Sequence, residues 1–184
     1  MKPNPAAADF GVNFGPDVVR FERLLPGPIE RVWQYLVDSD KRGLWLASGA
    51  LEPRVGGTIE LRFENARLSS EPVPERYKRH AGVFEGRERI TRFEPPRVLA
   101  FTWTGGEGVS EVTFELAPVG DRVRLLLTHS RLSRVHRLDV SGGWHVHLEV
   151  LESLLEGHGR PAFWSLLAQV EEVYAQRDRT EEPG

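Results

Sequence analysis

The sequence predicts an α+β fold in which a curved antiparallel sheet wraps around a long C-terminal helix. The order of elements carries this prediction: a strand and an amphipathic helix come first, a run of turn-separated strands follows, and the chain ends in helical periodicity. Strands in a run before a helix are typical of α+β domains. The length, 184 residues, suits one domain with a sizeable core. Such a sheet leaves a space beneath the helix, and its contents decide the function.

The composition excludes several function classes. The chain has 24 Lys and Arg against 27 Asp and Glu, which makes nucleic acid or an anionic membrane a poor partner. It has no cysteine, so disulfides, thiolate metal sites and a cysteine nucleophile are excluded. No apolar stretch reaches the ~18–20 residues of a membrane span, and the start lacks a signal peptide's apolar core. We expect a cytoplasmic protein without a metal or a cofactor.

The chain divides into three parts. Residues 1–17 are rich in Ala, Pro, Gly and Asn without an apolar period, and they predict a flexible N-terminal arm. Residues 18–160 carry the domain. Residues 161–184 predict a C-terminal helical extension of the same domain and a tail, because apolar side chains recur at helical spacing at Phe163, Leu167, Val170 and Tyr174.

The first half of the domain predicts strand, helix and strand. Residues 18–25 read as a strand that Pro26-Gly27-Pro28 ends, with Pro28 at a favoured first helical position. Residues 58–64 alternate strictly between apolar and polar and predict a half-buried strand. Residues 65–79 have no period and predict a long loop. Between the two strands, one apolar stripe of a helix is formed by Ile29, Val32, Trp33 and Leu36.

The second half predicts four strands and a helix. The strands cover 81–93, 98–103, 109–116 and 122–130, the last two as a hairpin. Glycine pairs, including Gly142-Gly143, read as turns. In the helix that follows, the buried stripe is Trp144, Leu148, Leu151 and Leu155. Its wet face is His145, Glu149, Glu152 and Glu156.

Several segments together resemble a known family. They are 28–33, 94–103, 110–116, 120–125, Thr128-His129 and above all Gly142-Gly-Trp-His-Val-His-Leu148. The set resembles the SRPBCC (START-like, helix-grip) superfamily, specifically homologues of the C-terminal domain of the activator of heat-shock-protein-90 ATPase. The resemblance implies a helix-grip fold enclosing a hydrophobic cavity. Members bind lipids, sterols or hormones, act as aromatase/cyclases on polyketides, or assist a chaperone. The terminal helix extends beyond the minimal pattern.

The candidate ligand site is the inner wall of that cavity. Trp45, Trp103 and Trp144 are favoured, because tryptophan offers a wide apolar surface and one N–H donor. Ordinary core packing is the alternative for every ring. The full set of expected cavity residues is Trp45, Phe63, Phe101, Trp103, Phe114, His129, Trp144, His147, Leu148 and Leu151.

Two polar residues are candidates for chemistry. Strand parity places His129 on the inner face, where its imidazole would anchor a ligand or act as a general base, unless it simply caps the sheet. Parity also groups Glu88 with Phe84 and Ile90, as a buried carboxylate in need of a partner, unless a bulge near 85–87 turns it outward.

Other polar residues carry weaker expectations. His145 and His147 lie two apart on a helix and point roughly 200° away from each other, so they do not share a metal ion. His145 is expected at the surface, and His147 at the edge of the buried stripe. Ser110 stands without a paired base. The basic cluster of Arg131, Arg134, His136 and Arg137 is expected to be a solvated loop patch.

Three functions remain open from the sequence. The preferred one is binding of a small hydrophobic molecule, lipid or polyketide-like, with His129 as polar anchor. The second is a cyclase or hydratase that uses His129 or Glu88. The third is a chaperone-associated, ATPase-activator-like interaction module. The additional amphipathic helix makes a homodimer reasonable.

Overall fold

The described strands form one antiparallel sheet, which four α-helices accompany. The computed structural model describes residues 11–13, 15, 17–106 and 108–180. The strands are β1 Val12–Asn13, β2 Val19–Pro26, β3 Thr58–Phe63, β4 Phe84–Glu94, β5 Val98–Gly106, β6 Gly108–Val119 and β7 Arg122–Ser130. The α-helices are α1 Ile29–Val37, α2 Ser39–Gly43, α3 Arg134–Leu155 and α4 Phe163–Thr180.

The sheet joins the start of the domain to its end. Its order is β1-β2-β7-β6-β5-β4-β3, and the register pairs Val19 of β2 with His129 of β7. The sheet curves around α3, whose Trp144 ring lies 5.9 Å from the Phe114 ring of β6, centroid to centroid. The predicted α+β architecture, a curved antiparallel sheet around a long C-terminal helix, is confirmed. No helix in the described ranges is long and apolar enough to cross a membrane.

The first helix has the predicted stripe. α1 begins at Ile29 with Pro28 as its N-cap, one residue later than expected. Proline suits either position, because the first backbone N–H groups of a helix have no partner within the helix. The four predicted residues of the stripe are all buried, and Trp33 packs edge-on against Phe93 at 5.6 Å.

The long helix α3 starts earlier than its periodicity predicts. It begins at Arg134, and the Ser133 side chain caps it by accepting the backbone N–H of His136. The basic cluster is therefore not a loop patch: only Arg131 precedes the helix. Arg137 is buried, at 8% exposure, and pairs with Asp178 of α4 at 2.6 Å. The prediction is wrong because Gly142-Gly143, a pair that favours a turn, lies inside α3.

Gly142 lies inside α3 for a packing reason. A Cβ atom at this position would stand 3.3 Å from Cγ of Glu171 and 3.5 Å from Cδ1 of Leu167, both on α4. The missing side chain lets α4 approach the outer face of α3 closely. A Cβ here would require Glu171 to shift slightly, whereas glycine fits without adjustment, at a cost to the helix of roughly 1 kcal/mol relative to alanine.

Burial of α3 on both faces corrects the prediction for His145. The five residues 144–148 are all buried, because the sheet covers one side of the helix and α4 the other. His145 is 0% exposed, and its Nδ1 lies 3.2 Å from the Tyr174 hydroxyl. An amphipathic pattern assumes that one face of the helix is exposed to water, but α4 covers that face of α3.

One further segment differs from expectation, and another lies mostly outside the described residues. The predicted loop over 65–79 contains two 3₁₀ helices, Asn65–Arg67 and Glu75–His80, and it docks on α4 through Tyr77, which stacks on Trp164 at 5.4 Å. Most of the predicted flexible arm, including residues 1–10, lies outside the described residues. Of the rest, β1 pairs with β2.

Candidate functional site

Most of the predicted cavity residues meet in one connected set of rings, which we call the aromatic cluster. Trp103 is at its centre, 5.8 Å from Phe63, 5.6 Å from His129 and 5.4 Å from Trp144 between ring centroids. Trp45 joins the set through Phe114 at 6.1 Å. The aromatic cluster comprises Trp45, Phe63, Phe101, Trp103, Phe114, His129 and Trp144.

Most of these rings are buried between the sheet and α3. Phe101, Phe114 and Trp144 are at most 3% exposed, and Leu148 and Leu151 of α3 are at 0%. At the end of the cluster beside Trp103 lies a pocket of about 20 Å³, enough for one water molecule. Small-molecule sites usually measure ~300–1,000 Å³. The pocket beside Trp103 is therefore smaller than a site for a small molecule, and the hydrophobic cavity stays a prediction.

His129 belongs to a buried string of hydrogen bonds. Its Nδ1 accepts the indole N–H of Trp144 at 3.0 Å, and its Nε2 lies 2.8 Å from Ser110 Oγ. Ser110 Oγ donates to the backbone carbonyl of Trp103 at 3.0 Å. Because Nδ1 accepts, the ring proton of neutral His129 sits on Nε2 and is donated to Ser110. Every polar atom in the string is satisfied.

The direction of these bonds corrects the expectation for Ser110 and limits its chemistry. Ser110 does have a histidine partner, because the register Val112↔His129 makes it a diagonal neighbour across β6 and β7. A base that activates serine must accept the hydroxyl proton, whereas His129 donates to it. Burial also lowers the pKa of His129 to about 3, so the ring is neutral at neutral pH. The pair is structural.

Glu88 is buried, as its strand parity indicates, and its partners come from β5. Oε2 accepts the Thr102 hydroxyl at 2.7 Å, and Oε1 accepts both the backbone N–H and the hydroxyl of Thr104, at 3.0 and 2.6 Å. The register shift in β4 falls between Ile90 and Arg92, beyond the position where a bulge would turn Glu88 outward. The carboxylate ties β4 to β5, and no hydrogen bond in the described part of the chain joins it to His129.

His147 supports the loop before β3 from α3. Its Nδ1 donates to the backbone carbonyl of Trp45 at 2.7 Å, and its ring packs edge-on against Phe163 at 5.4 Å. Burial lowers its pKa to about 4, although the bond to the Trp45 carbonyl acts in the opposite direction. His145 faces Tyr174 of α4 instead, so the two histidines serve different contacts.

The three favoured tryptophans differ in their indole N–H groups. Trp45 donates to the Tyr35 carbonyl at 2.8 Å, and Trp144 donates to His129. Trp103 is half-buried, lines the pocket, and makes no indole hydrogen bond within the ranges that the structure covers. Sequence parity found its inward face, but only the three-dimensional contacts distinguish its free donor from the two that are used.

The comparisons with known proteins agree with this architecture. The family described as Activator of Hsp90 ATPase homolog 1-like protein matches residues 26–156. No curated protein matches the chain. A solution NMR structure of a Bordetella parapertussis protein is 50% identical, covers 96% of this chain and 95% of its own, and has a TM-score of 0.79.

More distant structures share the fold. The crystal structure of CalU16 from Micromonospora echinospora is 22% identical, with 86% of each chain covered and a TM-score of 0.65. The Aha1 dimer from Colwellia psychrerythraea is 18% identical, with 76% of this chain and 96% of that chain covered and a TM-score of 0.58. Because the family match spans most of the sequence and ends with α3, the chain belongs to the activator of Hsp90 ATPase homolog 1-like family.

Proposed function

We propose that this chain binds a small, hydrophobic, ring-bearing molecule, lipid or polyketide-like, at the outer end of the aromatic cluster. The ligand enters through the pocket beside Trp103 and displaces that indole, which opens room between the sheet and α3. The observation that carries the proposal is the state of Trp103: a half-buried ring, packed against other rings, with a free N–H at the pocket.

The surroundings of Trp103 favour such a displacement. The β5–β6 ladder is interrupted between Trp103 and Gly106, so fewer backbone hydrogen bonds hold this end of the sheet. The ring makes edge-on contacts to Phe63 and His129, a stacked contact to Phe101 and a tilted contact to Trp144. An incoming ring can replace those contacts at similar area, because such aromatic pairs contribute only ~0.5–1.5 kcal/mol each beyond burial.

A bicyclic probe with one hydroxyl, 2-naphthol, is expected to bind at this end of the cluster. In heteronuclear NMR of the native protein, the indole N–H signals of Trp103 and Trp144 should shift. The signal of Trp33, a residue of α1 that packs against Phe93, should not shift. Binding also raises the free energy of unfolding, by about 2.7 kcal/mol at a ligand concentration one hundred times the Kd. If the indole signals stay unchanged at the highest 2-naphthol concentration, the result contradicts the proposal.

Two variants on α3 localise the binding. Val140→Phe places a ring in the pocket and should abolish the indole shifts. Val135→Phe is the matched control: Val135 is 72% exposed on the same helix, so binding should persist. A thermal melt of each variant confirms folding. Binding that survives Val140→Phe would show that the ligand enters elsewhere, and native mass spectrometry of freshly purified protein tests for a natural ligand.

An interaction with a chaperone is the second candidate, and the family match favours it. Under this proposal, adding the purified chain to Hsp90 should raise the ATPase rate and give a complex by size-exclusion chromatography. A homodimer is proposed with it, because the Colwellia psychrerythraea relative is a dimer. The same chromatography measures the dimer. No complex and no rise in rate would exclude the chaperone role.

The cyclase or hydratase alternative has less support. It would need a polar acid and base converging in one space. His129 donates its ring proton to Ser110. The Glu88 carboxylate already accepts three hydrogen bonds from β5. The binding proposal requires neither group to titrate.

A further inference from the structure

We propose that the ligand carries an anionic group, a carboxylate in the simplest case, which Arg131 and the Trp103 indole N–H hold at the pocket. This inference rests on the proposed binding function and deepens it by naming the ligand class: an amphipathic molecule with an apolar ring body and one charged end. The ring body of the ligand takes over the contacts that the Trp103 ring makes in the aromatic cluster. The anionic group stays at the solvent-facing side of the pocket.

The pocket has an apolar side and a polar side. Trp103, Leu132 and Val140 form the apolar side. Arg131, Ser133 and His136 are at the polar side, and no carboxylate side chain lines it within the described part of the chain. Arg131 is the only arginine among the described lining residues, and none of those residues is acidic, so an acceptor with negative charge suits this side of the pocket.

Arg131 is the cation that remains available there. Its nearest carboxylate is Glu111, with 3.6 Å between nitrogen and oxygen and with the arginine side chain 55% exposed. That separation exceeds a hydrogen bond, so the guanidinium retains N–H donors for a second anion. The neighbouring arginines are used elsewhere: Arg134 and Arg137 both approach Asp178 of α4, at 3.7 and 2.6 Å.

Gly105 and Gly106, at the end of β5, also line this pocket. A Cβ atom at Gly105 would stand 3.0 Å from Trp103 Nε1, and one at Gly106 would stand 3.0 Å from the His136 ring. Side chains at Gly105 and Gly106 would cover the indole N–H of Trp103 and narrow the opening of the pocket. The glycines leave the Trp103 donor uncovered, and they line the same pocket as Arg131.

A matched pair of ligands tests the charge. At neutral pH, 2-naphthoate carries a carboxylate where 2-naphthol carries a neutral hydroxyl, and the ring systems are the same. We expect the native protein to bind 2-naphthoate about tenfold more tightly than 2-naphthol, because a hydrogen bond to a charged group is the stronger one. Titration calorimetry measures both affinities.

A matched pair of variants assigns the preference to the pocket. Arg131→Asn removes the guanidinium and suits the backbone, since Arg131 has a φ of 61° and asparagine tolerates that region. It should abolish the preference for 2-naphthoate over 2-naphthol. Arg124→Asn removes the same charge from an exposed position on β7 and should retain the preference.

The outcomes separate the two proposals. If native protein binds both ligands equally, or if Arg131→Asn keeps the preference, the anionic end is wrong and the binding function stands. If neither ligand binds, the binding function fails, and this inference fails with it. A preference lost equally in both variants would mean that general charge, rather than Arg131, selects the anion.

Discussion

Between about pH 6 and pH 4, the free energy of unfolding is expected to fall by roughly 4 kcal/mol per pH unit, because three buried histidines take up protons only when the chain unfolds. Burial lowers the pKa of His129 to about 3 and of His147 to about 4. The pKa of His145 is lowered to about 3, mainly by burial and further by the positive charges of Arg23 and Arg177.

The sign follows from proton counts. An unfolded histidine titrates near 6.5, so below that pH the unfolded chain binds more protons than the folded one, and stability falls as the pH falls. Each histidine contributes about 1.4 kcal/mol per pH unit across this window. The contribution is fully present above the unfolded pKa. Since folded domains are stable by only ~5–15 kcal/mol, three such groups remove a large part of that stability by about pH 4.

Urea unfolding at a series of pH values measures the effect. His147→Asn keeps an N–H donor for the Trp45 carbonyl and cannot titrate, so the pH slope should decrease by about one third. The control is His158→Gln at an exposed position, where the slope should stay the same. Native stability that is level down to about pH 4 would contradict the prediction.

Arg42→Met is expected to cost at least about 3 kcal/mol of stability, because it leaves several buried carbonyl groups without donors. Arg42 is 1% exposed, and burial lowers the pKa of its guanidinium to about 10, with Asp38 acting in the opposite direction. It makes no ion pair in the described structure. Its donors reach five backbone carbonyls, those of Leu36, Val37, Ala47, Gly49 and Glu60.

The local backbone depends on this arrangement. Gly49 has a φ of 131°, and a Cβ there would collide with the Glu60 carbonyl, so the chain curls tightly enough for both carbonyls to face Arg42. Thermal melts should show Arg42→Met unfolding about 6–12 °C below the native protein. Lys41→Met, on the exposed side of α2, should change stability by less than about 0.5 kcal/mol. Equal melting temperatures would overturn the assigned role of Arg42.

Much of the candidate site was predictable from strand parity. Parity placed His129 and Glu88 inward, and both are buried, at 0% and 5% exposure. It also grouped the sheet rings that meet in the aromatic cluster. It could not find the hydrogen bonds of Ser110 and His129, since those depend on the register between two strands, and register is set by the turn and by the whole sheet.

The architecture follows from local sequence patterns, because apolar periods of two and of 3.6 residues identify the strand faces and the stripe of α1 without any information about distant residues. The surroundings of α3, in contrast, depend on tertiary contacts. The docking of α4 on its outer face buries His145 and leaves little room for a side chain at Gly142, and the Trp103 ring packs among other rings beside a pocket of about 20 Å³. These outcomes depend on contacts between residues far apart in sequence, and a local period carries no information about them.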